Sequence, residues 1–185
     1  MTLFEYLTAA HTLILAFAIT RVLSGLADAA SPGRRCWFHL SWIGMAIAFY
    51  FTAFWAFWSY SEVDWTMPLF FFVLLPIATM YVFGTTLIPS DPSTVESWRD
   101  YFFEKRVRIF STGALIVVGI LASNQVVLDV SPTEGSQFGL YVLLAIFCIG
   151  FASSSPRVHT VLALGPPVLF ASILLIMARP GSLAQ

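Results

Sequence analysis

Residues 67–88 read MPLFFFVLLPIATMYVFGTTLI and contain no charged side chain. A helix needs about 20 mostly apolar residues to cross the hydrocarbon core of a bilayer. The same character extends over the whole chain of 185 residues, which is 58% hydrophobic and 10% charged with a mean hydropathy of +0.84. Soluble domains are typically about 45–50% apolar and about 25% charged. The composition therefore predicts an all-α, polytopic membrane helical bundle and excludes an ordinary soluble protein.

Working outward from this stretch, we find six apolar segments separated by residues that favour turns. The predicted transmembrane helices cover 3–27, 37–59, 67–88, 107–128, 138–153 and 158–178. Because six spans use most of the length, residues 1–185 are predicted to form a single integral membrane domain without a separate soluble part. The lipid bilayer is thus the first partner that the sequence implies.

Basic residues are concentrated in alternate loops of this map. Eight of the nine Lys and Arg residues lie in or beside the first, third and fifth loops, and only Arg179 lies at the other end. Loops rich in Lys and Arg stay on the cytoplasmic side. We therefore expect a multi-pass protein with both termini outside. The 9 basic residues are balanced by 10 acidic ones, so no nucleic-acid partner is expected.

The third loop shows the pattern of an amphipathic helix. Ser93 and Glu96 have the spacing of a capping box, in which two side chains satisfy free N–H groups at a helix start. Apolar residues then recur at helical spacing among charged ones, including Trp98, Tyr101 and Phe102. The pattern predicts one interfacial helix over about 93–106 that runs into the fourth span. Such a helix can anchor the loop or dock a protein partner at the cytoplasmic face.

The first predicted helix carries the ionisable residues expected within the membrane. Arg21, Ser24 and Asp28 share one face, whereas Glu5 and His11 lie toward the outer end. Ionisable residues in a span usually face the bundle interior or a water-filled cavity. The structural alternative is an Arg21 side chain that extends to the surface and pairs with Asp28. We expect this helix near the centre of the bundle or at a subunit interface.

Other candidates are helix breaks and amides within predicted spans. Proline in a helix removes a backbone hydrogen bond, a feature common in transporters and channels but also in inert bundles. Two amides in the fourth span can hold helices together or line a polar path. The break candidates are Pro76, Gly165, Pro166 and Pro167, and the amides are Asn124 and Gln125.

The sequence contains no arrangement typical of catalysis or metal binding. Metal-ligand spacings, nucleophile elbows and nucleotide-binding glycine patterns are all missing, so a non-enzyme is favoured and no cofactor is predicted. One alternative concerns His39 and His159, which are expected at similar depth near the cytoplasmic end. Two imidazoles can act as axial ligands of a haem, which would make the protein a haem- or lipid-binding redox protein.

Several stretches resemble a group of small bacterial polytopic inner-membrane proteins with no established activity. They are residues 20–26 (TRVLSGL), 37–40 (WFHL), 57–58 with 65–66, and 101–106 (YFFEKR). The similarity extends over about the first two-thirds of the chain. It implies a bacterial inner membrane and no mechanism.

Two main functional hypotheses follow from these patterns. The first is a homo-oligomeric channel or transporter for ions or small solutes, based on the polar residues of helix one and the proline breaks. The second is a non-catalytic accessory, scaffold or sensor protein that docks a partner through the predicted cytoplasmic helix.

Overall fold

The computed structural model describes residues 3–177, and this part of the chain is helical without strands. The prediction of an all-α bundle is confirmed. Eight α-helices are present in the described range: α1 (Leu3–Ser24), α2 (Leu26–Ala29), α3 (Trp37–Ala56), α4 (Met67–Leu87), α5 (Trp98–Val127), α6 (Phe138–Ala152), α7 (Pro156–Leu162) and α8 (Gly165–Met177). Short 3₁₀ turns at Phe57–Tyr60, Pro92–Thr94 and Gly135–Gln137 lead out of α3 and into α5 and α6.

Within the described range, five helical segments are long and apolar enough to cross a membrane. They are Leu3–Ala29, Trp37–Tyr60, Met67–Thr94, Trp98–Val127 and Gly135–Ala152. The predicted sixth span is instead divided into α7 and α8. Pro166 and Pro167 lie in the first turn of α8, where a helix tolerates residues without an N–H donor. The proline pair therefore begins a helix, and residue 178 lies outside the described residues.

The helices form a bundle in which α4 packs against both α1 and α5, and α5 packs against α6. Helix α3 contacts α1, α4, α5 and α8 and supplies much of the core. The interior is aromatic and tightly filled, with the largest fully buried side chains including Trp42, Tyr50, Phe83, Trp98, Phe102 and Phe110. A smaller apolar cluster lies where α1 and α4 begin and α3 ends, and it contains Leu7, Phe57, Tyr60 and Val73.

Glycines set the close approach of α5 and α6. A Cβ on Gly150 would lie 2.1 Å from a ring carbon of Phe110, and one on Gly113 would lie 2.3 Å from a ring carbon of Phe147. Each helix thus places a phenylalanine ring over a glycine of its neighbour. Small residues at such points let membrane helices pack at short distance.

Two predicted features differ in detail from the described structure. Pro76 has no N–H to donate within α4, but it does not end the helix, which is continuous from Met67 to Leu87. Its ring lies beside Gly119 of α5, where an added Cβ would be 3.0 Å from the proline Cβ. The small residue opposite leaves room for the proline at the interface between α4 and α5.

The predicted helix over 93–106 is confirmed only in part. Residues 98–106 are helical and run into the fourth span, but the helix begins at Trp98 and not at residue 93. The Asp91 carboxylate accepts a hydrogen bond from the Ser93 amide and caps a 3₁₀ turn, so Ser93 and Glu96 form no capping box. Helix α5 begins only at Trp98, and the Ser97 hydroxyl caps it by accepting a hydrogen bond from the Asp100 amide. The apolar side chains of Trp98 and Phe102 are fully buried against protein. Tyr101 is half-buried, and its hydroxyl donates to the Thr86 carbonyl at 2.9 Å.

Candidate functional site

The first, third and fifth loops meet at one end of the bundle, which we call the basic end (residues 25–36, 88–99 and 153–157). The Arg34 guanidinium donates to the carbonyls of Ser93 and Val95, both at 3.0 Å. The backbone amide of Trp98 donates to the Arg34 carbonyl at 3.2 Å, and its indole N–H donates to the Asp28 carbonyl at 3.0 Å. Hydrogen bonds therefore join loops one and three into one continuous surface.

Arg21 is used to cap a helix. Its Nη2 donates to the Ile88 carbonyl at 2.8 Å, at the carboxyl end of α4. The guanidinium satisfies a carbonyl that has no partner within the helix and interacts favourably with the helix dipole. Asp28 pairs with Arg34 at 3.6 Å rather than with Arg21. The expected pair between Arg21 and Asp28 is thus replaced by two separate contacts.

Arg106 has the same role at the end of α6. Its Nη1 donates to the Phe151 carbonyl at 3.0 Å, lies 3.5 Å from the Gly150 carbonyl and also contacts the Ser153 carbonyl. These carbonyls belong to the last turn of α6 and the residues that follow it. Arginine suits this arrangement because its planar head carries several N–H donors in a fixed fork. The contact ties α5 to the start of loop five.

A buried aromatic–histidine cluster lies behind the basic end. It consists of His39, Trp98, Tyr101, Phe102, Phe103 and His159. The His39 ring stacks on Trp98 with centroids 5.1 Å apart, and the Phe102 ring lies 5.9 Å from His39 and 5.2 Å from His159. Both histidines are fully buried. The two imidazoles expected at similar depth thus contact the same phenylalanine ring.

The ring nitrogens of these histidines differ in their surroundings. His159 Nε2 lies 2.8 Å from the Ser153 carbonyl, whereas its Nδ1 and both nitrogens of His39 have no hydrogen-bond partner among the described residues. His159 belongs to α7, which lies outside the five candidate spans. Burial lowers the pKa of His159, the charge of Arg106 lowers it further, and the hydrogen bond to the Ser153 carbonyl acts in the opposite direction. The uncharged form is the one that suits this apolar environment. The haem hypothesis stays a prediction.

Cys36 is buried at the end of the first loop, directly before α3. Burial raises the pKa of its thiol, while the backbone amides of His39 and Phe38 and the charge of Arg99 act in the opposite direction. A thiol with a raised pKa is a poor nucleophile. The position is consistent with a packing role.

Four arginines at or beside the basic end are exposed. They have no side-chain hydrogen bond or ion pair with any described residue: Arg35, Arg99, Arg108 and Arg157. Three of them adjoin an anchored residue, since Arg35 follows Arg34, Arg99 follows Trp98 and Arg157 lies two residues before His159. Their backbones are held in place while their side chains stay available.

Helix α1 lies at the edge of the described bundle, not at its centre. Leu7, His11, Leu15, Ala18 and Val22 form its buried stripe. Leu13, Phe17 and Leu23 on its other side are about half exposed, and Glu5 and Ser24 are exposed too. The His11 ring stacks on Phe57 at 4.1 Å, and its nitrogens have no hydrogen-bond partner among described residues. Glu5 and Arg21 are about 24 Å apart along the helix axis, so α1 holds no single polar site.

The predicted amide pair lies at the other end of the bundle. Asn124 Nδ2 donates to Gln137 Oε1 at 3.1 Å, and the Tyr60 hydroxyl lies 3.3 Å from Asn124 Oδ1. This network joins α5 to the turns that end α3 and precede α6. Gln125 is half-buried and does not take part in it. Asn124 therefore links α5 to these two turns, and its predicted roles stay predictions.

The buried serine and threonine hydroxyl groups are satisfied within their own helices. Thr79, Thr86 and Ser123 each donate to the carbonyl four residues earlier. Among the described residues no group of three His, Cys, Asp or Glu side chains is placed to hold a metal ion. No family model, curated protein or solved structure matches the chain. The candidate site is accordingly defined by geometry alone, and it is the exposed surface of the basic end.

Proposed function

We propose that this integral membrane protein is a non-catalytic docking protein whose basic end binds an acidic segment of a partner protein. In this proposal the basic end faces the cytoplasm of a bacterial cell, since loops rich in Lys and Arg are retained there. The proposed docking surface combines the start of α5, which covers most of the helix predicted over 93–106, with the first and fifth loops.

The observation that carries the proposal is the anchoring of Arg35, Arg99 and Arg157. Each is exposed without a described side-chain partner, and each adjoins a residue that is buried or hydrogen-bonded. A fixed backbone reduces the conformational entropy that binding removes. A guanidinium also matches the two oxygens of a carboxylate, which is the chemistry of Asp and Glu side chains.

The charge distribution supports an acidic partner. The loops at the two ends of the bundle differ in charge, because the second and fourth loops contain acidic residues and no Lys or Arg: Glu62, Asp64, Asp129 and Glu134. At the basic end the acidic residues are outnumbered by the basic ones. Such a field attracts and orients an acidic segment at long range and weakens with salt.

The test is site-specific photo-cross-linking in native membranes. A photoreactive residue between the arginines, at Glu96, is expected to capture one partner, which is identified by mass spectrometry. Combining it with Arg35→Gln, Arg99→Gln and Arg157→Gln should abolish the product. A control with Glu62→Gln and Asp64→Asn at the opposite end should retain it. The proposal is contradicted if both variants cross-link equally. It is also contradicted if the protein with the photoreactive residue and all its arginines gives no product.

A channel or transporter formed by several copies has weaker support. The polar candidates lie at separate places, with Arg21 and Asp28 at the basic end and Asn124 at the other. A polar path would need residues supplied by an assembly. Reconstituted protein tested for ion flux under a gradient decides this, since flux that disappears with Arg21→Ala would favour conduction over docking.

A further inference from the structure

An apolar groove of about 390 Å³ runs between α5 and α6 on the outer surface of the bundle. Ser111, Ala114, Leu115 and Val118 line it from α5, and Cys148 and Phe151 line it from α6. Leu115, Val118 and Phe151 are about half exposed, so the groove is open toward the bilayer. Its lining is almost entirely apolar, which suits a hydrocarbon chain.

An unpaired cation lies at the basic end of this groove. Arg108 precedes Ser111 by three residues and Leu115 by seven, so it lies on the same side of α5. The Arg108 side chain has no hydrogen bond or ion pair with described residues, whereas neighbouring Lys105 is neutralised by Glu104. Arg106 is occupied by the carbonyls that end α6.

The length of α5 sets the depth of Arg108. From Arg108 to Val127 the helix has a length of about 30 Å, which is the thickness of a hydrocarbon core. Arg108 is therefore at the boundary between acyl chains and headgroups. A helical side chain points toward the helix N-terminus, which directs this guanidinium away from the hydrocarbon and toward the headgroups.

We propose that the groove binds one acyl chain of an anionic phospholipid whose phosphate contacts Arg108. A second open groove provides the contrast, because the residues that line it are uncharged: Ile14, Phe17, Ala78 and Tyr81. That groove has an apolar lining without a cation and should not select a headgroup. The arrangement at α5 and α6 combines an apolar slot with a positive charge at the membrane boundary. This inference does not depend on the proposed docking function.

Native mass spectrometry of the purified full chain tests the site. The probes are phosphatidylglycerol and phosphatidylcholine with identical acyl chains. One unpaired arginine near the surface is expected to favour the anionic lipid about fivefold. Arg108→Gln should remove this preference, while Arg35→Gln, which changes an exposed arginine away from the groove, should preserve it. Equal binding of the two lipids by the unmodified protein, or an unchanged preference in Arg108→Gln, overturns the proposal.

A second pair of variants tests the groove itself. Ala114→Phe fills the slot between α5 and α6 and should lower phosphatidylglycerol binding, whereas Ala78→Phe fills the other groove and should leave the preference intact. Thermal unfolding of each variant establishes that it is folded. If Ala114→Phe instead dissociates a dimer without changing the bound lipid, a second copy occupies the groove and the lipid proposal is wrong.

Discussion

Replacing Gly150 by alanine is the sharpest test of how α6 packs against α5. The new Cβ would lie 2.1 Å and 2.3 Å from two ring carbons of Phe110, far inside van der Waals contact. The Phe110 ring is fully buried, with its centroid 5.0 Å from Trp42 and 5.3 Å from His159. Because Trp42 and His159 pack against the ring, the clash is relieved by moving a helix or by displacing the ring toward the groove between α5 and α6, and either change disrupts this packing.

The expected effect is a loss of about 1–3 kcal/mol in the free energy of unfolding, the usual range for overpacking a closed core. This corresponds to roughly a 5- to 160-fold change in the unfolding equilibrium constant. Unfolding by sodium dodecyl sulfate in mixed micelles, followed by tryptophan fluorescence, measures it. The control is Gly139→Ala in the same helix, where no atom lies within 4 Å of the added Cβ.

A double-mutant cycle identifies the cause of any loss. Leucine at position 110 is shorter than phenylalanine and can rotate away from the new methyl group. We expect Gly150→Ala combined with Phe110→Leu to be less destabilised than the sum of the two single variants. Additive effects, or equal stability of Gly150→Ala and Gly139→Ala, would refute the interlocked packing described for α5 and α6.

Three further variants test the basic end. Arg106→Lys keeps the charge but loses the forked guanidinium that contacts several carbonyls. The free energy of unfolding should therefore fall by about 1–2 kcal/mol in a thermal unfolding experiment. An unchanged melting temperature contradicts the capping role. Because burial lowers the pKa of His159 in the folded state, the unfolded chain binds more protons, and the contribution of the uncharged His159 to stability is lost as the pH falls from about 6.5 toward the lowered pKa of the folded state. His159→Gln should therefore weaken the decline in melting temperature between about pH 7.5 and pH 5, and parallel curves would argue against this linkage. Trp98→Phe removes the indole donor to the Asp28 carbonyl and should destabilise by about 1 kcal/mol in the same unfolding assay; a stability equal to that of the unmodified chain would mean that this bond contributes nothing.

The spans were predictable because their signal is local. Residues 138–153 were expected as a helix and α6 covers Phe138–Ala152, since an uninterrupted apolar run needs no knowledge of its neighbours. The sixth segment was mispredicted as continuous. Its hydropathy does not reveal that the proline pair begins a new helix after Ala163 and Leu164.

The third loop shows where local reasoning fails. Trp98 and Phe102 recur at helical spacing, and this pattern is equally typical of a helix on a membrane surface and of one packed on protein. The fully buried contacts with His39 decide for protein. The capping box of Ser93 and Glu96 does not form, because the Asp91 carboxylate accepts the Ser93 amide that Glu96 would bind.

The contacts that hold the basic end together were only partly predictable. The similar depth of His39 and His159 was expected from the alternation of the spans, whereas their contact with the same Phe102 ring was not. Arg34 and Arg106 were missed as structural residues because their partners are carbonyls 59 and 61 residues away for Arg34 and 44 to 47 residues away for Arg106. A backbone carbonyl carries no residue-specific signal, so no sequence pattern identifies it as a partner.

The double use of arginine has a consequence for membrane insertion. In the proposed orientation, Arg21, Arg34 and Arg106 belong to the set of charges that retains loops in the cytoplasm during synthesis, and the same guanidinium groups bind backbone carbonyls in the folded chain. Inverting the protein in the membrane by relocating these charges would remove its helix caps as well. Relocating an arginine without such a contact, such as Arg35, would leave the caps intact, so topology and tertiary structure in this chain are coupled through the capping arginines.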